Sequence, residues 1–421
     1  MDLDRLSRAR PHLLGVFLRL GRALVNGLGS VWKALGGRLP GFVPEALLAV
    51  SRRDVPGAPD EPLAHSDGLT IACESIETEG NLGLFGRLVL RQMLRRSLAN
   101  AWRLRVAETR DPARFCGPIP PPIFIVGLPR SGTTFLQRLV SSVPGTWGIP
   151  LWMSQQPLVL RGPDLRRLRS AIDIVAMGVL APDLDRKHAF ELDAAEEAIT
   201  LFDAAGGWNP GWWRASGCAQ YLRWLLEQDP APGYQRFATV LRGLAQARPD
   251  ARAVLKTPNH MGALSVLHDA FPDAVFVQTH RDPARCVASY LSLQRSVQGI
   301  LTPSPDLHRL GATSLHLWAT HAQRGLDARA RCPQMPVLDV DYDELVGDPM
   351  GVLQRVCAHA GLAFDARAQA AAAAELARRP RHRHGTHTYR LEDYGLDTNT
   401  VHGAFPDYIA RHLPGLLRGQ P

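Results

Sequence analysis

Residues 127–134 read Gly-Leu-Pro-Arg-Ser-Gly-Thr-Thr, directly after the apolar run Ile123-Phe-Ile-Val-Gly127 and ahead of a segment with helical spacing. A strand, a glycine-bearing turn and a helix start, in that order, bring backbone N–H groups and the positive end of the helix dipole to one point. That is a place for an anion. Gly132 lets the backbone come close to a ligand, Arg130 adds a fork of donors, and Ser131, Thr133 and Thr134 add hydroxyls. The spacing of Gly127 and Gly132 equals that of a Walker loop, but Thr133 stands where the lysine belongs. A nucleotide kinase or ATPase relies on that lysine and on Mg²⁺, so the substitution argues against both. A second anion anchor lies in Val275-Phe-Val-Gln-Thr-His-Arg-Asp-Pro283, a strand running into a loop. Arg281 falls at the strand's carboxyl end, where open α/β sheets take their ligands, and Ser289 follows two helical turns later. Asp282 is placed to cap that helix. Lys256 closes a third apolar run, where an ammonium is well placed to stabilise negative charge in a transition state. His188 is followed at short range by Glu196 and Glu197. Histidine titrates near neutral pH, and the acidic residues read by themselves as the negative first turn of a helix.

These residues require a scaffold. The strand signals at 123–127, 253–255, 275–278 and 337–340 are each followed by a helical segment, at 133–143, 260–270, 284–296 and 349–361. The alternation predicts an α/β fold with a parallel sheet flanked by helices. Residues 1–115 read as a helical N-terminal extension. It holds an amphipathic helix over 13–35, a Pro/Gly/Asp-rich linker from Asp54 to Asp67, and a helical region over 69–110 with apolar and arginine-rich faces. Residues 116–421 form the α/β domain, in which 150–250 is a mainly helical insertion. Trp147, Trp152, Trp208, Trp212, Trp213 and Trp224 in and beside it read as an apolar binding wall or as core. The alanine-rich tract 368–379 is expected to be a surface helix.

The chain has 421 residues, 45% hydrophobic and 21% charged, which predicts a packed core. A net charge of +8 suits an anionic ligand, a nucleic acid or an anionic membrane. Nucleic acid is set aside because the basic residues are dispersed and no recognition motif occurs. Cys73, Cys116, Cys218, Cys286, Cys332 and Cys357 form neither a CxxC pair nor a zinc pattern, so free thiols in the cytoplasm and no metal are expected. Arg19, Arg22 and Lys33 interrupt Leu13–Leu35, which therefore fits neither a secretory segment nor a spanning helix. Such a helix either packs on the domain or lies on a membrane surface.

Together these segments resemble the sulfotransferases that use 3′-phosphoadenosine-5′-phosphosulfate, PAPS. Pro129-Arg-Ser-Gly-Thr-Thr134 is similar to that family's 5′-phosphosulfate loop, and Thr279-His-Arg-Asp-Pro283 with Ser289 to its 3′-phosphate site. The resemblance runs from about residue 120 to 410 and is strongest to a bacterial branch related to the tyrosylprotein sulfotransferases. It implies a P-loop-like fold and transfer of a sulfuryl group from PAPS to a hydroxyl of a small-molecule, glycolipid or lipid-like acceptor, with PAP as product and no metal. Through Leu255-Lys-Thr-Pro-Asn-His260 and Phe271-Pro-Asp-Ala274 it assigns Lys256 to the transferred group. It makes His188, or a glutamate of the pair Glu196 and Glu197, the base. Tyr342, in Asp341-Tyr-Asp-Glu-Leu-Val-Gly-Asp-Pro349, either meets the cofactor or packs the turn with Leu345. Arg383 to Leu396 resembles the branch's C-terminal segment, which offers His384, Gly385, His387 and Tyr389 to the 3′-phosphate and adenine. The lysine- and glycine-rich closing loop of the cytosolic animal enzymes is absent from it. Two other readings stand beside this one: a P-loop nucleotide kinase or NTPase, and a non-catalytic nucleotide-binding protein of the same fold. The joint presence of Lys256, His188 and Glu197 argues against the second. An oligomer and peripheral membrane contact through the N-terminal helix remain open.

Overall fold

The computed structural model describes residues 12–61, 63, 66–188, 190–302, 304–378 and 390–417. Its centre is a five-stranded parallel sheet made of β1 (Ile123–Gly127), β2 (Thr146–Gly148), β3 (Arg252–Lys256), β4 (Val275–His280) and β5 (Val337–Asp341), in the order β2-β3-β1-β4-β5. β1 and β4 are buried along their whole length, as expected of central parallel strands covered on both faces. Alternation divides their side chains. Ile123, Ile125 and Val277 point toward the helices Thr133–Val140, Pro349–His359 and Ala366–Ala377. Phe124, Val126 and Phe276 point into a larger core, which continues without a break into Leu90, Leu94, Leu98 and Trp102 of the extension.

The register fixes where chemistry can happen. Ile125 pairs with Lys256, and Gly127 pairs with Thr279. The ends of β1, β3 and β4 therefore lie side by side along one edge of the sheet, and each hands its next residues to that edge.

Four of the five strands follow the expected alternation. β2 does not: it is three residues long and owes its existence to pairing with Arg252–Val254. The helix expected over 260–270 begins as a 3-10 turn, Pro258–Ala263, before the α-helix Leu264–Ala270. Residues 150–250 are helical as expected, but most of their tryptophans are core. Trp208, Trp212 and Trp213 are buried among Phe202, Tyr221, Tyr234 and Phe237, and Trp147 is buried beside β2. All six cysteines are free.

The extension and the insertion meet at Asp203. Its carboxylate accepts hydrogen bonds from Ser97 Oγ at 2.8 Å, Asn209 Nδ2 at 2.8 Å and Asn100 Nδ2 at 3.0 Å. Burial pushes this carboxyl up to about 6 in spite of those bonds.

Candidate active site

The loop after β1 turns on two glycines. Gly127 has φ 142°, and a Cβ there would strike the carbonyl and hydroxyl of Thr279. Gly132 has φ 88° and caps the helix Thr133–Val140, with Leu345 and Tyr342 packed where a side chain would go. Between them Arg130 also lies in the left-handed region, at φ 70°. A non-glycine residue there is strained by on the order of 1 kcal/mol and persists because its neighbours hold it. The restraint is visible: Arg281 Nη1 donates to the Arg130 carbonyl at 2.8 Å, and Arg130 Nε donates to Ser289 Oγ at 3.1 Å. The Arg281 guanidinium also lies 3.9 Å from the centre of the Tyr342 ring, a cation–π contact. The two arginine-bearing turns, more than 140 residues apart in sequence, are thus joined directly. Asp282 caps the following helix through the N–H of Ala284 at 2.9 Å, which leaves Arg281 turned toward the loop.

The loop hydroxyls divide by position. Ser131 Oγ is fully buried, donates to Leu128 O at 2.6 Å and shares a hydrogen bond with Thr279 Oγ1 at 2.7 Å. It braces the turn from beneath. Thr133 is buried and Thr134 half-buried at the first positions of the helix.

Lys256 is only 1% exposed, and its Nζ donates to Glu197 Oε1 at 2.8 Å. Arg214 holds the other oxygen of Glu197. Burial alone would raise the Glu197 carboxyl, but Arg214 and Lys256 outweigh it and hold the group well below the usual carboxylate range. Burial pushes the Lys256 ammonium down, and Glu197 and Glu196 offset part of that effect. Beside this triad sits a second one. His188 Nε2 lies 3.2 Å from Glu196 Oε2, and Arg138 Nη2 donates to Glu196 Oε1 at 2.6 Å. Burial opposes the ionisation of Glu196, and His188, Arg138 and Lys256 together still lower it.

The positions of both glutamates trace back to backbone. Just beyond β2, Pro150 and Ala195 form an antiparallel bridge, and Glu196 N donates to Ile149 O at 3.0 Å. From the helix Thr133–Val140, Gln137 Nε2 reaches Glu196 O at 3.1 Å, and Arg138 Nε reaches Ala195 O at 3.3 Å. The helix that Gly132 caps therefore grips the acidic segment with its second turn.

The structure brings Arg130, Gly132, Arg281, Ser289 and Tyr342 into one group, and Lys256, Glu197, Glu196 and His188 into another at the adjacent strand ends. His384 and Tyr389, with Gly385 and His387, lie outside the described residues. Sequence reasoning missed Arg138 and Arg214, which look like ordinary helix-surface arginines, and Thr279, whose hydroxyl locks the loop. It also missed His260, buried against Phe124 with Nδ1 3.1 Å from Tyr234 OH and pushed down to about 3 by burial. His280, Asp339 and His412 bring ligand-type atoms together. However, Arg329 already donates to both oxygens of Asp339 at 2.7 Å, and the two imidazoles stack at 3.9 Å. The group fastens the late helix Pro406–His412 to β4 and β5.

A parallel sheet with a glycine-bearing loop at its carboxyl edge, a second arginine–serine pair bonded to that loop and no Walker lysine is a P-loop-like arrangement. The sequence pattern described as the sulfotransferase family matches residues 121–366, more than half of the chain, and the chain belongs to that family. It is 30% identical over 153 residues to the omega-hydroxy-beta-dihydromenaquinone-9 sulfotransferase Stf3 of Mycobacterium bovis, and equally to that of Mycobacterium tuberculosis. The match covers 34% of this chain and 38% of those relatives, so it spans well under half of their length. Among solved structures, sulfotransferase STF1 of Mycobacterium tuberculosis superposes with a TM-score of 0.70 at 27% identity, over 86% of this chain and 98% of that one. STF9 of Mycobacterium avium does so with a TM-score of 0.74 at 21% identity, over 87% and 95%.

Proposed function

We propose that this protein is an enzyme that transfers a sulfuryl group from PAPS to a hydroxyl of a small or lipid-like acceptor. The observation that carries the reading is the direct bonding of the two anion anchors, Arg281 to the Arg130 carbonyl and Arg130 to Ser289, with a buried lysine at the neighbouring strand end. A donor with phosphate groups at both its 3′ and 5′ positions needs two such anchors on one surface. The donor chemistry fits: backbone amides, a guanidinium and hydroxyls at a helix N-terminus suit a 5′-phosphosulfate, and a second guanidinium and a serine suit a 3′-phosphate. The name of the Stf3 relatives gives a hydroxylated menaquinone as their substrate, which supports a lipid-like acceptor here. Six free thiols support a reducing, cytoplasmic setting.

In this reading the loop amides, Arg130, Thr133 and Thr134 hold the 5′ end, and Arg281 and Ser289 hold the 3′-phosphate. The bond between sulfur and the phosphate oxygen breaks as the bond between sulfur and the acceptor oxygen forms. Lys256 stabilises the charge left on the departing phosphate oxygen. The acceptor's proton goes to His188, with Glu196 as the group that orients the ring, because a base bonded to a fixed orienter is the working arrangement. Glu197, clamped between two cations and strongly acidic, is the weaker base, and its part is to hold Lys256 in place.

Calorimetric titration with PAP, ATP and AMP tests this. Micromolar binding of PAP and none of AMP is expected. Arg281→Ala should weaken PAP by about 2 to 3 kcal/mol, or roughly 30- to 150-fold, through loss of charge-assisted hydrogen bonds. A folded protein that ignores PAP, or prefers ATP, would overturn the proposal.

A further inference from the structure

The N-terminal helix His12–Ala34 is amphipathic in the reverse of the usual sense. Its inner face is Gly15, Arg19, Arg22, Asn26 and Gly29, spaced by four, three, four and three residues. Arg19 Nη1 donates to Val179 O at 3.2 Å and Arg22 Nη1 to Gly299 O at 2.9 Å. These carbonyls lie in the last turns of the helices Arg166–Leu180 and Pro283–Leu301, where carbonyls lack intrahelical partners and a cation is favourable. Asn26 Oδ1 accepts from Phe85 N at 3.0 Å, and Gly29 sits against Leu84. The polar side is therefore spent on the protein.

The outer face is Phe17, Leu20, Leu24, Leu28 and Val31, continued by Leu35 just past the helix. Each of these side chains is at least 59% exposed. They repeat every three or four residues, so they form one continuous stripe. Trp32 lies beside the stripe and is also more than half exposed. A soluble protein rarely presents such a stripe to water without a partner for it.

Charge selects the partner. From Arg5 to Pro44 the sequence has no Asp or Glu, and beside the inward-turned Arg19 and Arg22 it carries Arg5, Arg8, Arg10, Lys33 and Arg38. Lys33 and Arg38 are exposed at the end of the helix. Among the described residues no helix is long and apolar enough to cross a membrane. An apolar stripe in an acid-free, basic segment has the character of a helix that lies in the plane of an anionic bilayer surface.

We propose that the helix His12–Ala34 docks this protein on an anionic phospholipid bilayer, with the stripe from Phe17 to Leu35 buried at the headgroup level. The site edge lies close by. Arg19 is bonded to the last turn of Arg166–Leu180, and the next helix, Leu184–Lys187, ends at His188. A hydroxylated lipid entering from that surface meets the acceptor side of the site without crossing water. This last step rests on the proposed function, whereas the docking itself does not.

The test is co-sedimentation of the full chain with phosphatidylcholine vesicles, with and without phosphatidylglycerol, beside PAP calorimetry. Wild type should bind the anionic vesicles and bind less as salt rises. Leu24→Glu with Leu28→Glu, at exposed positions, should weaken binding by about 10-fold or more at an unchanged melting temperature and PAP affinity. Lys33→Glu with Arg38→Glu should lower the preference for anionic over neutral vesicles by about 10-fold or more. Vesicle binding untouched by both pairs would overturn the proposal. So would absence of vesicle binding, including the case in which light scattering shows that the leucine pair holds two copies of the chain together. PAP binding lost while vesicle binding persists would instead strike only the proposed function.

Discussion

Replacing Glu197 by glutamine removes one charge and little volume from a buried cluster. At 2.8 Å from Lys256 Nζ, that charge is worth about 6 kcal/mol of attraction at an effective dielectric of about 20. The observed loss has a lower ceiling, because a buried ammonium without a counter-charge can shed its proton. From the ordinary value of 10.5, holding Lys256 neutral at pH 7 costs about 5 kcal/mol. Breaking one side of a buried pair typically costs about 3 to 5 kcal/mol, so Glu197→Gln should lose about that much at pH 7. The pH dependence separates this cause from a packing defect. In the variant the folded-state value of Lys256 is depressed, so between it and 10.5 the unfolded chain binds more protons, and stability must rise with pH. At pH 9 the ceiling has fallen to about 2 kcal/mol. Urea denaturation at pH 7 and pH 9, with wild type in parallel, reads both quantities. A loss under about 1 kcal/mol, or one that does not shrink with pH, would show that the cluster is not the low-dielectric clamp described here.

Two further outcomes are expected. His188→Ala should lower turnover about 100-fold with PAP affinity intact, if the proton passes to that ring. A normal rate would hand the role to Glu197. Asp203 has a raised folded-state value of about 6, so the stability it confers is complete below about 4, its ordinary value, and declines as pH rises toward 6, by about 3 kcal/mol in total. Asp203→Asn should remove that part of the slope, measured by denaturation at several pH values between 4 and 7. An unchanged slope would mean that another group carries it.

The loop after β1 and the Arg281 turn were legible as structure because their signals are local: the strand, the glycines and the helix start are contiguous. Lys256 was legible for the same reason. β2 was not, since three residues ending in glycine have no periodicity, and the strand exists only because Arg252–Val254 pairs with it. Arg138 and Arg214 were hidden because each finds its carboxylate far away in sequence, and a helical arginine looks the same whether it meets water or Glu196. The N-terminal helix shows the limit most clearly. The spacing of Arg19 and Arg22 gives a basic face, but which face turns inward depends on carbonyls 160 and 277 residues away. The tryptophans of the insertion were open between wall and core, and packing among Phe202, Tyr221, Tyr234 and Phe237 decided for core at Trp208, Trp212 and Trp213.

The junction at Asp203 bears on where this chain can be divided. The 3-10 turn Ala198–Ala205, which contains Asp203, starts one residue after Glu197 and rests on the helix Leu84–Arg110. A fragment beginning at residue 121, where the family match begins, would take away Ser97 and Asn100 and open the surface that Leu94 and Leu98 cover. The turn would then keep its packing against the helices Ala231–Ala245 and Pro210–Ser216 but lose that against Leu84–Arg110, next to the acidic pair. What reads in sequence as a leading appendage is packed behind the segment that carries the acidic pair, and a fragment without it loses that support.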